Sequence, residues 1–364
     1  MQGIAVLGST GSIGTSTLNV LRRHRDRFRL AAITAGSNAS LLAEQVAAWR
    51  PPFAGLVSDA GPACLIEAVL RPDVDIVVNA VVGFAGLEAT LAALRAGKRV
   101  ALANKESLVV AGDLVRAAAV EGGGELVPVD SEHSGVLQCV AGREGALRRL
   151  ILTASGGPFR EWEADRVGAA TVAEALNHPT WRMGSKITVD SATLANKAME
   201  VIEAHHLFGL EYDRIDVVVH PQSIVHAFVE FADGSVLGQF GFPSMELPIL
   251  YALTHPERLS DSGVRPFDPV ASGPLTFEPL RGDVFRAFHA GVEAGRAGGT
   301  APAAFNAANE VAVGAFLAGR IAFRRISEVI EGTLSRHTSV PASSIEAVRA
   351  ADAGARTEAE RLLG

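Results

Sequence analysis

Over the first 129 residues, short apolar runs alternate with longer stretches of helical periodicity, and few folds accommodate that alternation. The runs fall at 4–7, 30–34, 55–58, 74–80, 99–103 and 125–129. Between them, 18–25, 41–49, 63–70, 87–96 and 108–121 repeat apolar residues at helical spacing. Strand, helix, strand in regular succession implies a parallel sheet covered on both faces, a doubly wound α/β domain. Its first turn reads Gly8-Ser9-Thr10-Gly11-Ser12-Ile13-Gly14. Glycines every third residue let the chain turn sharply after a strand, bring backbone amides up to a pyrophosphate and seat the next helix on the sheet. Following a strand and opening a helix, this turn predicts dinucleotide binding through Gly8, Thr10, Gly11, Ser12 and Ile13.

The second strand ends in Ala35-Gly36-Ser37-Asn38, with no acid. NAD-binding domains commonly place a carboxylate there for the ribose hydroxyls, and that charge would repel a 2′-phosphate. Its absence from Gly36, Ser37 and Asn38 favours NADPH, against a loop that selects neither form. After the fifth strand, Asn104, Lys105 and Glu106 stand at the carboxyl edge of the sheet, where ligands of such domains bind. Lys105 there faces a phosphate, a hydroxyl or the nicotinamide end, or is an exposed lysine at a helix start.

At 364 residues, 48% apolar and 20% charged, the chain is an ordinary globular sequence of two or three domains. A net charge of −7 excludes a nucleic-acid surface, which needs a basic patch. The one dense basic run, Arg22 to Arg29, reads as a solvated helix end. No run reaches the ~18 uncharged apolar residues of a membrane span. Residues 1–6 already form a strand, leaving no room for a signal segment, so a cytoplasmic protein is expected. Cys64 and Cys139 lack metal spacing and read as small buried side chains in a reducing compartment.

Beyond residue 129 the organisation changes. Ser155-Gly156-Gly157-Pro158-Phe159 follows a strand, and its hydroxyl and free amides suit a phosphate cradle. The stretch 155–185, with His178-Pro179-Thr180-Trp181-Arg182-Met183-Gly184, has few regular patterns and reads as a glycine-hinged lid. Trp181 either packs on the body or closes over a ligand. Ser191, Asn196 and Lys197 supply hydroxyl, amide and ammonium donors for a phosphorylated polyol. The segments 224–231 and 235–240, joined through Asp233-Gly234, predict a hairpin. Helical patterns at 284–294, 303–317, 326–334 and 344–363 predict a closing helical domain.

Three acids stand out against this background. Asp130 and Glu132, at i and i+2, share one face of an extended segment. Glu200 lies four residues after Asn196, on one helical face, and is assigned to a metal and not to a surface pair. Acidic groups brought together repel unless one protonates or a cation is shared. Ligands of oxygen alone favour a hard ion, Mg²⁺ or Mn²⁺, over zinc. Solvated acids with no ligand are the plainer alternative.

Together the 8–14 turn, Ala103-Asn104-Lys105-Glu106-Ser107, Asp130-Ser131-Glu132-His133, the 155–159 turn, 178–184, Asn196-Lys197 with Glu200, and His220-Pro221-Gln222-Ser223-Ile224-Val225-His226 resemble the 1-deoxy-D-xylulose 5-phosphate reductoisomerase family over nearly the whole length. The resemblance implies an NADPH-dependent enzyme that rearranges and reduces 1-deoxy-D-xylulose 5-phosphate to 2-C-methyl-D-erythritol 4-phosphate, in non-mevalonate isoprenoid synthesis. It implies a divalent cation (Mg²⁺, Mn²⁺ or Co²⁺) on Asp130, Glu132 and Glu200. It carries substrate contacts to Ser131, Glu132, Ser155, His178, Trp181, Met183, Ser191, Asn196, Lys197 and Glu200, with Lys105 and His178 taking part in catalysis. Further NADPH contacts fall on Asn104, Lys105, Glu106 and Gly184, and a homodimer is implied. Ser37 departs from a basic residue common in the family, and Ser244 from an aspartate. The other reading of the same acids is a metal-assisted NADP dehydrogenase of another phosphorylated hydroxy ketone; a dinucleotide-binding module without activity would have lost an acid or the lysine. The expected organisation is an NADPH-binding domain at 1–129, a metal- and substrate-binding α+β domain at 130–255, a linker at 256–283 and a helical domain at 284–364.

Overall fold

The structure, a computed structural model, describes residues Met1–Gly364 and divides into two compact units. The first comprises Met1–Ser107, Val115–Gly142 and Ser244–Pro266; the second Leu108–Leu114, Arg143–Pro243 and Phe267–Gly364.

The first unit alternates β1 (Gln2–Leu7), α1 (Ser12–Arg23), β2 (Phe28–Ala35), α2 (Ala39–Trp49), β3 (Phe53–Leu56), α3 (Val57–Ala60), α4 (Ala63–Leu70), β4 (Ile76–Asn79), α5 (Leu87–Arg95), β5 (Arg99–Leu102), α6 (Lys105–Gly122), β6 (Glu125–Pro128) and α7 (Ser131–Val140). Its six strands are parallel in the order β3-β2-β1-β4-β5-β6. Strands as apolar as β1 and β4 need cover on both faces, and Ile4, Val6, Ile76 and Val78 are buried with Leu18 and Leu21 of α1. The order reverses between β1 and β4, the place where open α/β sheets leave a crevice for a ligand. Within α6, Ala111 departs from helical geometry (φ −149°, ψ 35°), and the helix kinks there.

The second unit continues with β7 (Leu147–Ala154), α8 (Ala164–Gly168), α9 (Val172–Ala175), α10 (Ser185–Thr193), α11 (Ala195–Phe208), β8 (Ile215–Val219), β9 (Val225–Phe231) and β10 (Val236–Phe240). The chain then returns to the first unit for α12 (Glu246–Thr254) before β11 (Glu278–Pro279), α13 (Arg286–Ala297), α14 (Ala301–Leu317), α15 (Arg324–Arg336) and α16 (Ile345–Leu363) complete the second. The sheet runs β10-β9-β7-β8-β11. The β9–β10 hairpin turns as the sequence predicts, with Gly234 at φ +84° and the Asp233 carboxylate accepting from Ser235 N at 2.9 Å. Phe159, Phe305, Phe316 and Phe323 anchor the core that joins α10, α11 and the closing helices.

Several expectations need correction. Residues 130–142 and 244–266 pack with the nucleotide-type sheet, across the expected boundary at 129, and the helical C-terminal region shares a core with 143–243. The apolar faces decide this: Ile249, Leu250 and Leu253 of α12 are buried in the core of the first sheet. The run 55–58 is a strand only to Leu56, after which α3 begins. The basic run is not simply solvated either. Arg23 donates to Asp261 at 2.6 Å and to Glu246 at 2.7 Å, tying α1 to the returning segment. Burial opposes the charge on Asp261, yet the bonds from Arg23, Gly263 and His24 hold its carboxyl below the usual range.

Breaking a buried pair leaves an uncompensated charge, at a cost of about 3–5 kcal/mol, reduced where one partner is partly in water. Arg23→Met is therefore expected to lower the unfolding free energy by about 2–4 kcal/mol in urea titration. A change below about 0.5 kcal/mol, the size usual for surface substitutions, would show that the tie does not hold α12 in place.

Candidate active site

In the first unit the glycine turn has the predicted geometry. Gly8 sits at φ +76°, and a Cβ there would lie 2.6 Å from Ala80 O; at Gly14 it would lie 2.3 Å from Gly8 O. No larger residue fits either place. Gly11 begins α1 with no side-chain cap, the first turn carries no acid, and Arg22 and Arg23 close the last turn. The amides of α1 are thus turned to an anion in a positive helix end. Thr10 is half-buried and Ser12 exposed, while the Ile13 side chain packs on the core, so that its backbone is what faces the turn. Gly36, Ser37 and Asn38 are exposed at the end of β2, and Asn38 caps α2 by accepting from Leu41 N at 3.1 Å.

The Asn104 side chain is engaged within the chain. Its amide donates to Val81 O at 2.7 Å, Gly83 O at 2.8 Å and Glu106 Oε2 at 3.0 Å, and Ser107 donates to its carbonyl oxygen. These bonds shape the loop after β4.

Asp130 and Glu132 are not on an extended segment. Asp130 is the N-cap of α7, its Oδ1 accepting from Glu132 N at 3.2 Å, and Glu132 lies in the first helical turn. A short acceptor side chain after β6 captures the open amides of the next helix. The other oxygen, Oδ2, receives Lys105 Nζ at 2.6 Å, both side chains being nearly buried. His133 Nδ1 lies 3.1 Å from Asp130 Oδ1, and Ser131 Oγ donates to Glu132. His133 was missed by sequence reading; once the segment is helical, its i, i+3 spacing from Asp130 supplies the signal.

In the second unit β7 ends at Ala154, and after Ser155 the residues Gly156 (φ +83°) and Gly157 (φ +67°) make the turn. A Cβ on Gly157 would come within 2.8 Å of Ser191 O, so the turn lies directly against α10. His178 is the centre of the loop above it. Its Nδ1 accepts from Thr180 N at 3.1 Å and Trp181 N at 2.9 Å, which fixes the proton on Nε2, 3.0 Å from Ser155 Oγ. Ser155 Oγ also accepts from Gly157 N at 3.2 Å, leaving its hydrogen to donate outward. Trp181 is half-buried, its ring 6.4 Å from that of His226. Met183 is half-buried and Gly184 exposed at the start of α10. The stretch 155–185 is also more regular than expected, since it contains α8 and α9.

Glu200 is in the interior and not on a surface. Its carboxylate accepts from Asn196 at i−4 and Lys197 at i−3, and it is 2% exposed. A buried carboxylate requires charge and donors. Hard oxygen ligands with negative charge beside lysines suit a divalent cation that takes the place of the ammonium groups, and the amides at the α1 N-terminus suit a dinucleotide pyrophosphate.

Burial alone lowers the His178 pKa from 6.5 to about 4. The unfolded chain then takes up this proton near pH 6.5 and the folded chain only near 4, so acidification across that interval favours unfolding. The expected outcome is that wild-type stability falls more steeply between those pH values than that of His178→Gln, measured by urea titration; parallel curves would contradict a buried neutral imidazole.

Family models match most of the chain: 1-deoxy-D-xylulose 5-phosphate reductoisomerase over residues 4–62 and 57–112, the C-terminal domain of that enzyme over 126–208, and the DXP reductoisomerase C-terminal domain over 240–358. The 1-deoxy-D-xylulose 5-phosphate reductoisomerase of Geobacillus kaustophilus is 49% identical over 381 residues, covering 100% of both chains. That of Synechococcus sp. is 48% identical over 383 residues, covering 100% of this chain and 97% of its own. A crystal structure of DOX-P reductoisomerase with NADPH, fosmidomycin and magnesium superposes with a TM-score of 0.93 at 40% identity, covering 100% of this chain and 98% of the other. The Zymomonas mobilis enzyme with NADPH gives 0.90 at 40% identity, over 100% and 99%. The chain belongs to the 1-deoxy-D-xylulose 5-phosphate reductoisomerase family.

Proposed function

We infer that the protein converts 1-deoxy-D-xylulose 5-phosphate to 2-C-methyl-D-erythritol 4-phosphate with NADPH and a divalent cation, a step of isoprenoid synthesis. The observation that carries this reading is full-length kinship at 49% identity joined to an uncapped α1 N-terminus and buried carboxylates beside lysines. Asp130, Glu132 and Glu200 are the proposed metal ligands. When bound, the cation supplies Lewis acidity at the substrate ketone and NADPH supplies hydride.

The chain's own residues prepare both. Backbone amides of Gly11, Ser12 and Ile13, with Thr10, hold the dinucleotide pyrophosphate, and Gly36, Ser37 and Asn38 receive its adenosine end without a repelling acid. Lys105 orients Asp130, and the Asp130 cap aims Glu132. Ser155, His178 Nε2–H, Ser191, Asn196 and Lys197 supply donors for the substrate phosphate and hydroxyls. A neutral His178 donates one hydrogen bond through a fixed nitrogen. Ser131 and Met183 line the reaction space, Glu106 and Gly184 contact the nicotinamide side, and Trp181 on the 155–185 segment excludes water while the aldehyde awaits reduction. Ser244 Oγ accepts from Glu246 N at 3.3 Å, a cap that the family's aspartate would also make.

The proposed assembly is a homodimer, and it is supported by β10, which ends its sheet with an open edge and exposes Val236, Leu237 and Phe240; pairing with a second copy of this strand would cover both. No helix is long and apolar enough to cross a membrane, and Cys64 and Cys139 are buried thiols. Buried free thiols fit the reducing cytoplasm proposed for the protein.

Purified protein is expected to oxidise NADPH on addition of 1-deoxy-D-xylulose 5-phosphate in Mg²⁺, to stop in EDTA, and to resume when Mg²⁺ is restored. Glu200→Gln should lose turnover while its NADPH dissociation constant is unchanged. Oxidation indifferent to metal, or full activity in the variant, would contradict the assignment.

A further inference from the structure

Behind the phosphate-binding side of the second unit lies a polar network with no place in the chemistry above. Asp190, 1% exposed, occupies the last turn of α10. Its Oδ1 accepts from Asn309 Nδ2 of α14 at 2.8 Å, and its Oδ2 from Lys186 Nζ at 2.8 Å. Asn309 is wholly buried, and its own carbonyl oxygen has no hydrogen-bond partner. The amide cannot turn over, because that would set oxygen against oxygen.

Such a network is a poor device for stability. A buried ion pair is often no better than apolar residues of equal volume, and an orphaned buried oxygen carries a penalty. Its geometry suits another task. Consecutive helical residues point about 100° apart, so with Asp190 fixed inward, Ser191 is turned out of the core, and it is only half-buried. Ser191 is also the residue whose carbonyl oxygen a Cβ on Gly157 would meet at 2.8 Å. Lys186 lies in the first turn of α10, where the 155–185 segment ends. One carboxylate thereby fixes the rotation of α10 and the end of that segment together.

We propose that Asn309 and Asp190, with Lys186, are positioning residues for substrate phosphate: α14 holds α10 in the rotation that presents Ser191 to the Ser155-Gly156-Gly157 turn. The proposal rests on the phosphate assignment given above. Asn309→Asp sets carboxylate against carboxylate. The double variant Asp190→Asn, Asn309→Asp puts the amide on α10 and the carboxylate on α14, so the pair bonds again with the roles exchanged.

The test compares the full-length wild type, Asn309→Asp and the double variant by calorimetric titration with inorganic phosphate in saturating NADPH, by substrate KM and kcat, and by NADPH binding. Loss of one buried hydrogen bond to a charged group predicts phosphate affinity and substrate KM worse by about tenfold in Asn309→Asp. NADPH affinity and kcat should stay within about twofold of wild type, as for distant sites, and the double variant should recover most of the loss. Phosphate affinity unchanged in Asn309→Asp, or no recovery in the double variant, would overturn the proposal; should Asn309→Asp not fold, Asn309→Leu replaces it. The phosphate titration does not depend on turnover. A wild type that binds phosphate but leaves 1-deoxy-D-xylulose 5-phosphate unchanged would therefore count against the reaction and not against the network.

Discussion

Burying a carboxylate is costly, several kcal/mol per ion even after the protein relaxes, and each unit of this chain does so beside a lysine. In the first, Asp130 receives Lys105; in the second, Glu200 receives Lys197. Neither arrangement is explained by packing, since apolar residues would fill the same space at lower cost. Each makes sense as a carboxylate held in place and oriented for a stronger cation. The same need for compensation determines the neighbours: His133 and the α7 amides around Asp130, Asn196 beside Glu200.

Helix ends do the corresponding work for the anions. Gly11 leaves the amides of α1 uncapped because glycine has no side chain to offer, and Gly8 and Gly14 are required by close approach of backbone. At α7 the opposite choice is made, and Asp130 closes the amides with its own oxygen. One helix start is thus left open to a pyrophosphate, while the other holds a carboxylate in place.

What could be read in the sequence was whatever local pattern determines. Buried parallel strands are continuous apolar runs, the glycine spacing marks the first turn, and Asp233-Gly234 marks the hairpin. Contacts between distant segments were illegible. Pro248 and a nearly uniform apolar run hid α12, so its return to the first sheet went unread. The segment after β6 looked extended because Asp130 and Glu132 alternate with Ser131 and His133, although Asp130 is also a good N-cap. Asn309 and Asp190 stand 119 residues apart in sequence, and no periodicity announces that they meet. The proposed site residues were candidates from the sequence, whereas the partners that hold them came only with the fold.

The account depends most on Asp130, Glu132 and Glu200 acting as ligands of one hard cation. Mn²⁺ titration followed by electron paramagnetic resonance tests this directly, without turnover. Asp130→Asn is the informative variant, since asparagine still caps a helix and only the charge is lost. The account predicts one Mn²⁺ per wild-type chain and affinity weakened about tenfold or more in Asp130→Asn and in Glu200→Gln, as loss of an anionic ligand requires. Equal Mn²⁺ affinity in all three proteins would contradict it.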